Sequence, residues 1–422
     1  MRRLLVLAWV GLACVIALVP AGTASAHAAL LGTSPAAGSV VQRFSRVVLR
    51  FDEPVSVTPA GIELTGPSGG RVDTGRAHAV GATVRVTVQV SGPPPPGTYR
   101  VGWRVVSDDG HPEAGTFTFS VRRATPAPLA PATASASLPA AYALVRWVGY
   151  AGFCALAGGI AFLLLCWPGA GSLRRVRVLS GGGGLLAWLA TWASLPLQGA
   201  YDDGAWSHLL RGDALLATLE SRIGAALMAR LLLLLVLGAL LAVALRWGTR
   251  LLPTVRPRLL GAFGVVLLLA AATWSLTGHP AVGGDWPLAV AADAVHLAAV
   301  SLWAGGLLLV LATRPPLPAV AAFSRMALPC VVAIAATGAY AAQRQLSSWA
   351  SLADTDYGRL VLAKATGLLL LAGSGLLARR ALARARPAVA TPARLRAIVA
   401  VEVVVALAVL GVAAVLVQTP PR

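Results

Sequence analysis

The chain has 422 residues, of which 57% are apolar and only 12% charged. Soluble domains carry about 25% charged residues, so the composition excludes a purely soluble enzyme, a disordered chain and a fibrous repeat. The formal net charge of +19 raises nucleic-acid binding, but the arginines sit between long apolar stretches, where they act as a topology signal, and nucleic acid is excluded as a partner. Cys14, Cys154, Cys166 and Cys330 form no CxxC pair, which excludes a disulfide framework and a thiolate zinc site. What remains is a membrane protein embedded in the lipid bilayer.

Residues 1–26 read as a signal peptide. Arg2 and Arg3 form its basic start, Leu4 to Val19 its apolar stretch, and Ala24-Ser25-Ala26 a cleavage site of the A-x-A kind. Cleavage after Ala26 would make His27 the mature N-terminus. From 27 to 122 the apolar period changes to two: Val47, Leu49 and Phe51 alternate with polar residues, as do Val84, Val86, Val88 and Val90, then Tyr99, Val101, Trp103 and Val105, then Phe117, Phe119 and Val121. Gly and Pro clusters separate these runs, the pattern of an all-β sandwich or barrel. With nine arginines against seven acidic residues this segment is nearly neutral. Residues 123–139 are rich in Ala, Pro and Ser and read as an extended linker.

Eight apolar stretches follow, near 141–166, 178–200, 223–245, 259–277, 287–312, 319–342, 360–378 and 396–417. Each approaches the ~20 residues that span a bilayer as a helix. The connections after the first, third, fifth and seventh hold fifteen arginines and no acidic residue, from Arg174, Arg175 and Arg177 to Arg394 and Arg396. The other connections hold Asp202, Asp203, Asp213, Glu220, Asp285, Asp354 and Asp356. Positive loops stay cytoplasmic, so the β-domain is expected outside a multi-pass cytoplasmic-membrane protein.

In the exported segment the run Ser107-Asp108-Asp109-Gly110-His111-Pro112 follows a strand. Asp109 and His111 are two apart and in extended backbone project to one side. A carboxylate and an imidazole there, joined by the α-amine and imidazole of a terminal His27, make a nitrogen-rich set that favours Cu(II). The same Asp-Gly-His-Pro run also reads as a simple turn. In the membrane half, Asp293 and His296 are i,i+3 on one helical face, and His279 lies at the outer end of the preceding helix. Ionisable groups at membrane depth mark a pathway or a buried pair. His279, Asp293 and His296 are therefore a candidate copper path, and the alternative is Asp293 paired with Arg230 or Lys364 to hold the bundle together. Arg146 and Glu402 read as packing or interfacial residues, and Cys154, Cys166 and Cys330 as small core- or lipid-facing groups.

The segments HAALLGTSPAAGSVV, VVLRFDEPV and GTYRVGWRVVSDDGHPEAGTFTFSV resemble the opening, middle and closing motifs of the CopC copper-binding family over essentially all of 27–122. The resemblance implies a seven-stranded cupredoxin-like β-barrel. Within it, Cu(II) would be held by His27, Asp109 and His111, with Glu53 as an acidic neighbour of the site. The thioether Cu(I) site of some members is not implied, because Met1, Met228 and Met326 all lie elsewhere; His78 matches no motif and reads as a surface loop residue. Residues 140–420 are similar to the CopD family through Phe323-Ser324-Arg325 to Ala336-Thr337-Gly338, Asp356-Tyr357-Gly358-Arg359 to Lys364, the Ala292–Gly306 helix and Glu402. The whole resembles bacterial copper-uptake proteins of the YcnJ type. The fold class expected is a cupredoxin-like β-sandwich followed by an all-α eight-helix transmembrane domain, and the activity expected is capture of Cu(II) outside and import of copper.

A non-enzymatic transporter is expected, since neither a P-loop nor a DKTG motif is present. Copper tolerance by sequestration or export would use the same parts. A haem-bearing membrane oxidoreductase needs about four axial histidines within its helices, where this chain offers His296 and, marginally, His279. A sensory or scaffolding protein with a copper-binding head is the remaining alternative.

Overall fold

The computed structural model describes residues 28–79, 85–90, 93–107, 110, 112–128, 135–247, 255–346, 348, 350–384 and 393–419. The chain divides into two compact units, Ser25–Tyr142 with Leu195–Ala225, and Ala143–Ser194 with Ala226–Arg422.

Among the described residues the first unit has eight strands: β1 (Leu30–Ser34), β2 (Val40–Val41), β3 (Arg46–Phe51), β4 (Val55–Thr65), β5 (Asp73–Ala79), β6 (Arg85–Val90), β7 (Gly97–Ser107) and β8 (Pro112–Val121). They form two four-stranded sheets, ordered β1-β3-β6-β5 and β2-β8-β7-β4. Eight rather than seven strands result when the two-residue β2, paired parallel to β8, is counted. The period of two does the folding work: Val47, Leu49 and Phe51 are fully buried while Arg46 and Arg50 point to solvent. Tyr99, Val101, Val105, Phe119 and Val121 close the core from the facing sheet. His78 is a correction to the sequence reading, because it lies in β5 opposite Thr87 rather than in a loop. The run Asp73–Ala79 has no β-branched alternation, and pairing with β6 imposes the strand.

The start of the linker is not loose. Thr98 Oγ1 donates to the Thr125 carbonyl at 2.6 Å, and the Thr98 N–H donates to Thr125 Oγ1 at 2.8 Å, which pins the chain beside the first turn of β7. In the same unit Arg104 of β7 donates to the carbonyls of Tyr201 and Asp202, covering two of the acceptors that a helix end leaves open. Burial lowers this guanidinium below the ordinary arginine value, and Asp202 counters the shift.

The helices are α1 (Ser137–Ala161), α2 (Arg174–Asp203), α3 (Gly212–Glu220), α4 (Arg222–Trp247), α5 (Val255–Ser275), α6 (Trp286–Thr313), α7 (Leu317–Gln345), α8 (Ser351–Asp354), α9 (Asp356–Arg384) and α10 (Ala393–Leu416). Among the described residues, eight of them are long and apolar enough to cross a membrane, α1 being extended by a π-turn to Cys166. They coincide with the eight apolar stretches of the sequence. The short helix α3 lies in a connection that reads as loop. In the helical unit α1 and α6 meet glycine on glycine: a Cβ added to Gly158 would lie 2.5 Å from the Gly305 backbone. Small residues allow this close approach where no aqueous hydrophobic effect drives helices together.

Candidate metal centre and membrane polar column

Strand connectivity gathers the motifs of the β-domain at one end of the sandwich. β3 stops at Phe51 and β4 starts at Val55, so Asp52-Glu53-Pro54 crosses from one sheet to the other. β1 begins with Leu30 opposite Phe51, which brings the chain following His27 to this crossing. There the Ala29 N–H donates to Asp52 Oδ1 at 2.6 Å and the Asp52 N–H to the Ala29 carbonyl at 3.1 Å. Ala28 is buried in the core. On the other sheet Ser107 pairs with Val55, and Val106 pairs with Pro112, so both flanks of 108–111 reach the same end. Gly110 adopts φ +89° and donates its N–H to the Ser107 carbonyl at 2.9 Å, a tight turn that glycine tolerates without steric cost. Glu53 Oε1 is buried. His27, Asp109 and His111 themselves lie outside the described residues.

In the helical unit, polar side chains form a column from the helix ends inward. At its outer end Arg344 of α7, almost fully buried, pairs with Asp285 at 2.9 Å and donates to the carbonyls of His279 and Val282. The Tyr340 hydroxyl donates to the same carboxylate at 2.9 Å. Burial alone would raise the Asp285 carboxyl, but the hydrogen bonds from Arg344 and Tyr340 outweigh it and hold it below the usual carboxylate range. His279 is buried, with its ring 6.1 Å from that of Tyr357. Further in, Ser275 donates to Asp293 Oδ2 at 2.7 Å, and Lys364 and Arg146 interact electrostatically with this carboxylate. Arg230 is engaged elsewhere: it donates to Thr273 and stacks 4.0 Å over the Trp274 ring. Of the two partners weighed from sequence, Lys364 is the one that faces Asp293.

His296 shows how its neighbours fix its chemistry. Thr337 Oγ1 donates to the Ala333 carbonyl at 2.6 Å, which spends its single proton. Its 2.9 Å contact with His296 Nδ1 is therefore one in which the imidazole N–H donates. Nε2 then carries the lone pair, the arrangement a metal-ligating or proton-accepting histidine uses. By contrast, His208 has both nitrogens engaged, Nδ1 with Asp203 at 2.7 Å and Nε2 with Arg211 at 3.3 Å. The column strings His279, Asp293 and His296 along its length rather than around a point. Among the described residues no group of three or more His, Cys, Asp or Glu side chains could hold a metal ion together. Cys154, Cys166 and Cys330 are all buried in the helical core. Sequence reasoning missed Thr337, Ser275 and the Asp285–Arg344 pair. One signal was available for Lys364, the single lysine of the chain.

Residues 30–122 match the CopC domain, 135–286 the copper resistance protein D-like N-terminal domain, and 317–416 copper resistance protein D. The copper resistance protein C of Escherichia coli is 37% identical over 107 residues, covering 24% of this chain and 85% of that protein. The chain belongs to the CopC–CopD copper resistance family. The copper transport protein CutJ of Bacillus subtilis is 28% identical over 380 residues, 84% of this chain and 68% of that protein, so its similarity runs through both halves. The crystal structure of PcoC, a methionine-rich copper resistance protein from Escherichia coli, is 33% identical and covers 23% of this chain and all of that one, with a TM-score of 0.21. Within the CopD part, Thr337, Arg344, Tyr357, Lys364 and Glu402 fall in the copper resistance protein D match and His279 in the N-terminal one. Asp293 and His296 lie on α6, in the interval between the two matches.

Proposed function

We propose that this CopC–CopD protein captures Cu(II) at the outer face of the cytoplasmic membrane and imports copper through its helical domain. The observation that carries the reading is the convergence of three chain segments at one end of the sandwich: Ala28–Ala29, Asp52–Glu53 and the two flanks of 108–111. Signal cleavage after Ala26 frees the His27 amine at that convergence. The amine, two imidazoles and the Asp109 carboxylate then surround one Cu(II), a donor set that matches its preference for nitrogen ligands in tetragonal geometry. Glu53 stands next to them as an orienting carboxylate. The linker keeps loaded metal at high effective concentration near the membrane.

Copper then follows His279, Asp293 and His296, handed between imidazoles across a region where charge is otherwise costly. Lys364 and Arg146 hold Asp293 while no copper is near, so the carboxylate is never left uncompensated. The arginine-rich loops fix the direction of the chain through the membrane.

Titration of the purified 27–122 fragment with Cu(II), followed by electron paramagnetic resonance, tests the capture site. One equivalent is expected, and one extra residue before His27 weakens binding by removing the terminal amine; equal affinity of the two fragments refutes the amine ligand. Tolerance by sequestration or export is separated from import by cellular copper in a deletion strain, which falls under import and rises under tolerance.

A further inference from the structure

A second acidic group sits within the membrane helices, away from the polar column. Glu402 of α10 is 3% exposed and forms part of the wall of a cavity of about 310 Å³ between α6, α7, α9 and α10, together with Trp303, Phe323, Ser324, Leu371 and Gly375. The walls are otherwise almost entirely apolar. Among the described residues its partner is the Ser374 hydroxyl, 2.9 Å from Oε1. Arg325 on α7 and Arg396 on α10 are exposed, and among the described residues no basic group or second carboxyl is found to interact with Glu402. Asp293, in contrast, faces Lys364 and Arg146.

A carboxylate at membrane depth carries a heavy desolvation cost, which a bound cation removes. The smallest cation fits the geometry. Ser374 Oγ is also 3.0 Å from the Leu371 carbonyl, and a hydroxyl has only one proton to donate. A protonated Glu402 satisfies both contacts at once, its O–H donating to Ser374 and Ser374 donating to Leu371. An ionised Glu402 forces the serine to abandon Leu371. The carboxyl borders the cavity. Its walls lie toward the ends of the helices joined by arginine-rich connections, the side that positive charge assigns to the cytoplasm.

We propose that Glu402 is a proton-binding site through which copper import is driven by the proton gradient, protons and copper moving the same way. This rests on the import reading above. The step is a simple ionisation: the Glu402 O–H bond breaks, the electron pair stays on the carboxylate, Ser374 turns its hydroxyl onto that oxygen, and the proton passes to water on the cytoplasmic side. The next proton restores the Ser374–Leu371 contact.

The test uses the full-length protein in two ways. Infrared spectra of the purified protein are expected to show a protonated-carboxyl C=O band that disappears in E402Q; a band unchanged in E402Q, or absent from the wild type, overturns the proton site. In proteoliposomes, copper accumulation by the wild type is expected to rise about tenfold per pH unit of outside-acid gradient, for one proton per ion. E402Q loses this dependence and E402D keeps it. E402Q accumulation that follows the gradient as the wild type does, or wild-type accumulation favoured by an outside-alkaline gradient, overturns the coupling. A wild type that moves no copper under any gradient sinks the import reading instead, while the infrared band still decides whether Glu402 holds a proton. Thermal unfolding of E402Q in detergent, at the wild-type temperature, reports that its helical domain is folded.

Discussion

The Gly158–Gly305 contact offers a direct test of how the helical domain is assembled. In G158A the new methyl would lie 2.5 Å from the Gly305 carbonyl carbon and Cα, and 2.7 Å from the Gly306 nitrogen. Non-bonded carbons rest at about 3.5–4.0 Å, so α1 and α6 must separate by roughly 1 Å locally. Backbone receives the methyl, and backbone has no rotamer with which to give way. A gap of that size forfeits a quarter to a half of each dispersion contact along the seam, and overpacking of this kind costs about 1–3 kcal/mol. G264A in α5 is the matched control, because nothing lies within 4 Å of its added methyl. Thermal unfolding in detergent, followed by loss of monodisperse protein, is expected to place G158A well below the wild type and G264A at or slightly above it. Equal melting of the two variants would refute the close-packing argument. Since α6 also carries Asp293 and His296, the wedge should reduce copper accumulation along with stability.

T337V removes the oxygen that receives the His296 Nδ1 proton, a hydrogen bond worth about 0.5–1.5 kcal/mol; copper accumulation should fall and T337S should restore it. H296A should abolish accumulation while the protein remains in the membrane at normal amount, and normal accumulation would reduce His296 to a packing residue. Asp285 provides a pH signature. Its folded carboxyl holds a proton less tightly than an unfolded one, so the unfolded chain binds more protons in acid. Its contribution is present above the unfolded value of about 3.9 and is lost as pH falls through the lower folded value. Melting measured from about pH 3 to about pH 8 should therefore lose part of its acid slope in D285N, and an unchanged slope would dismiss the pair as a stabilising contact.

Period and composition are properties of single segments, and what depends on them was legible. The alternation at Val47, Leu49 and Phe51 announces a strand with one buried face, and the structure buries all three. Eight apolar stretches became eight spans because length and hydropathy suffice for that inference. The strand Asp73–Ala79 was not legible, since its residues carry no period and only the partner strand makes them extended. The same limit applies to the site. Asp293 and His296 could be named from their cost in lipid, but the hydroxyl that orients His296 comes from Thr337, forty-one residues away. The Asp285–Arg344 pair spans fifty-nine residues. A serine and a glutamate twenty-eight residues apart carry no joint signal until two helices bring them together.

The latch between Thr98 and Thr125 separates two jobs along a single strand. β7 has eleven residues, about 35 Å of extended chain, with the latch at its beginning and the Ser107 border of the proposed metal loop at its end. The leash therefore leaves from the pole opposite the proposed copper site. Changes in leash length or stiffness act on one pole and spare the other, so reach and grip can evolve, or be engineered, independently.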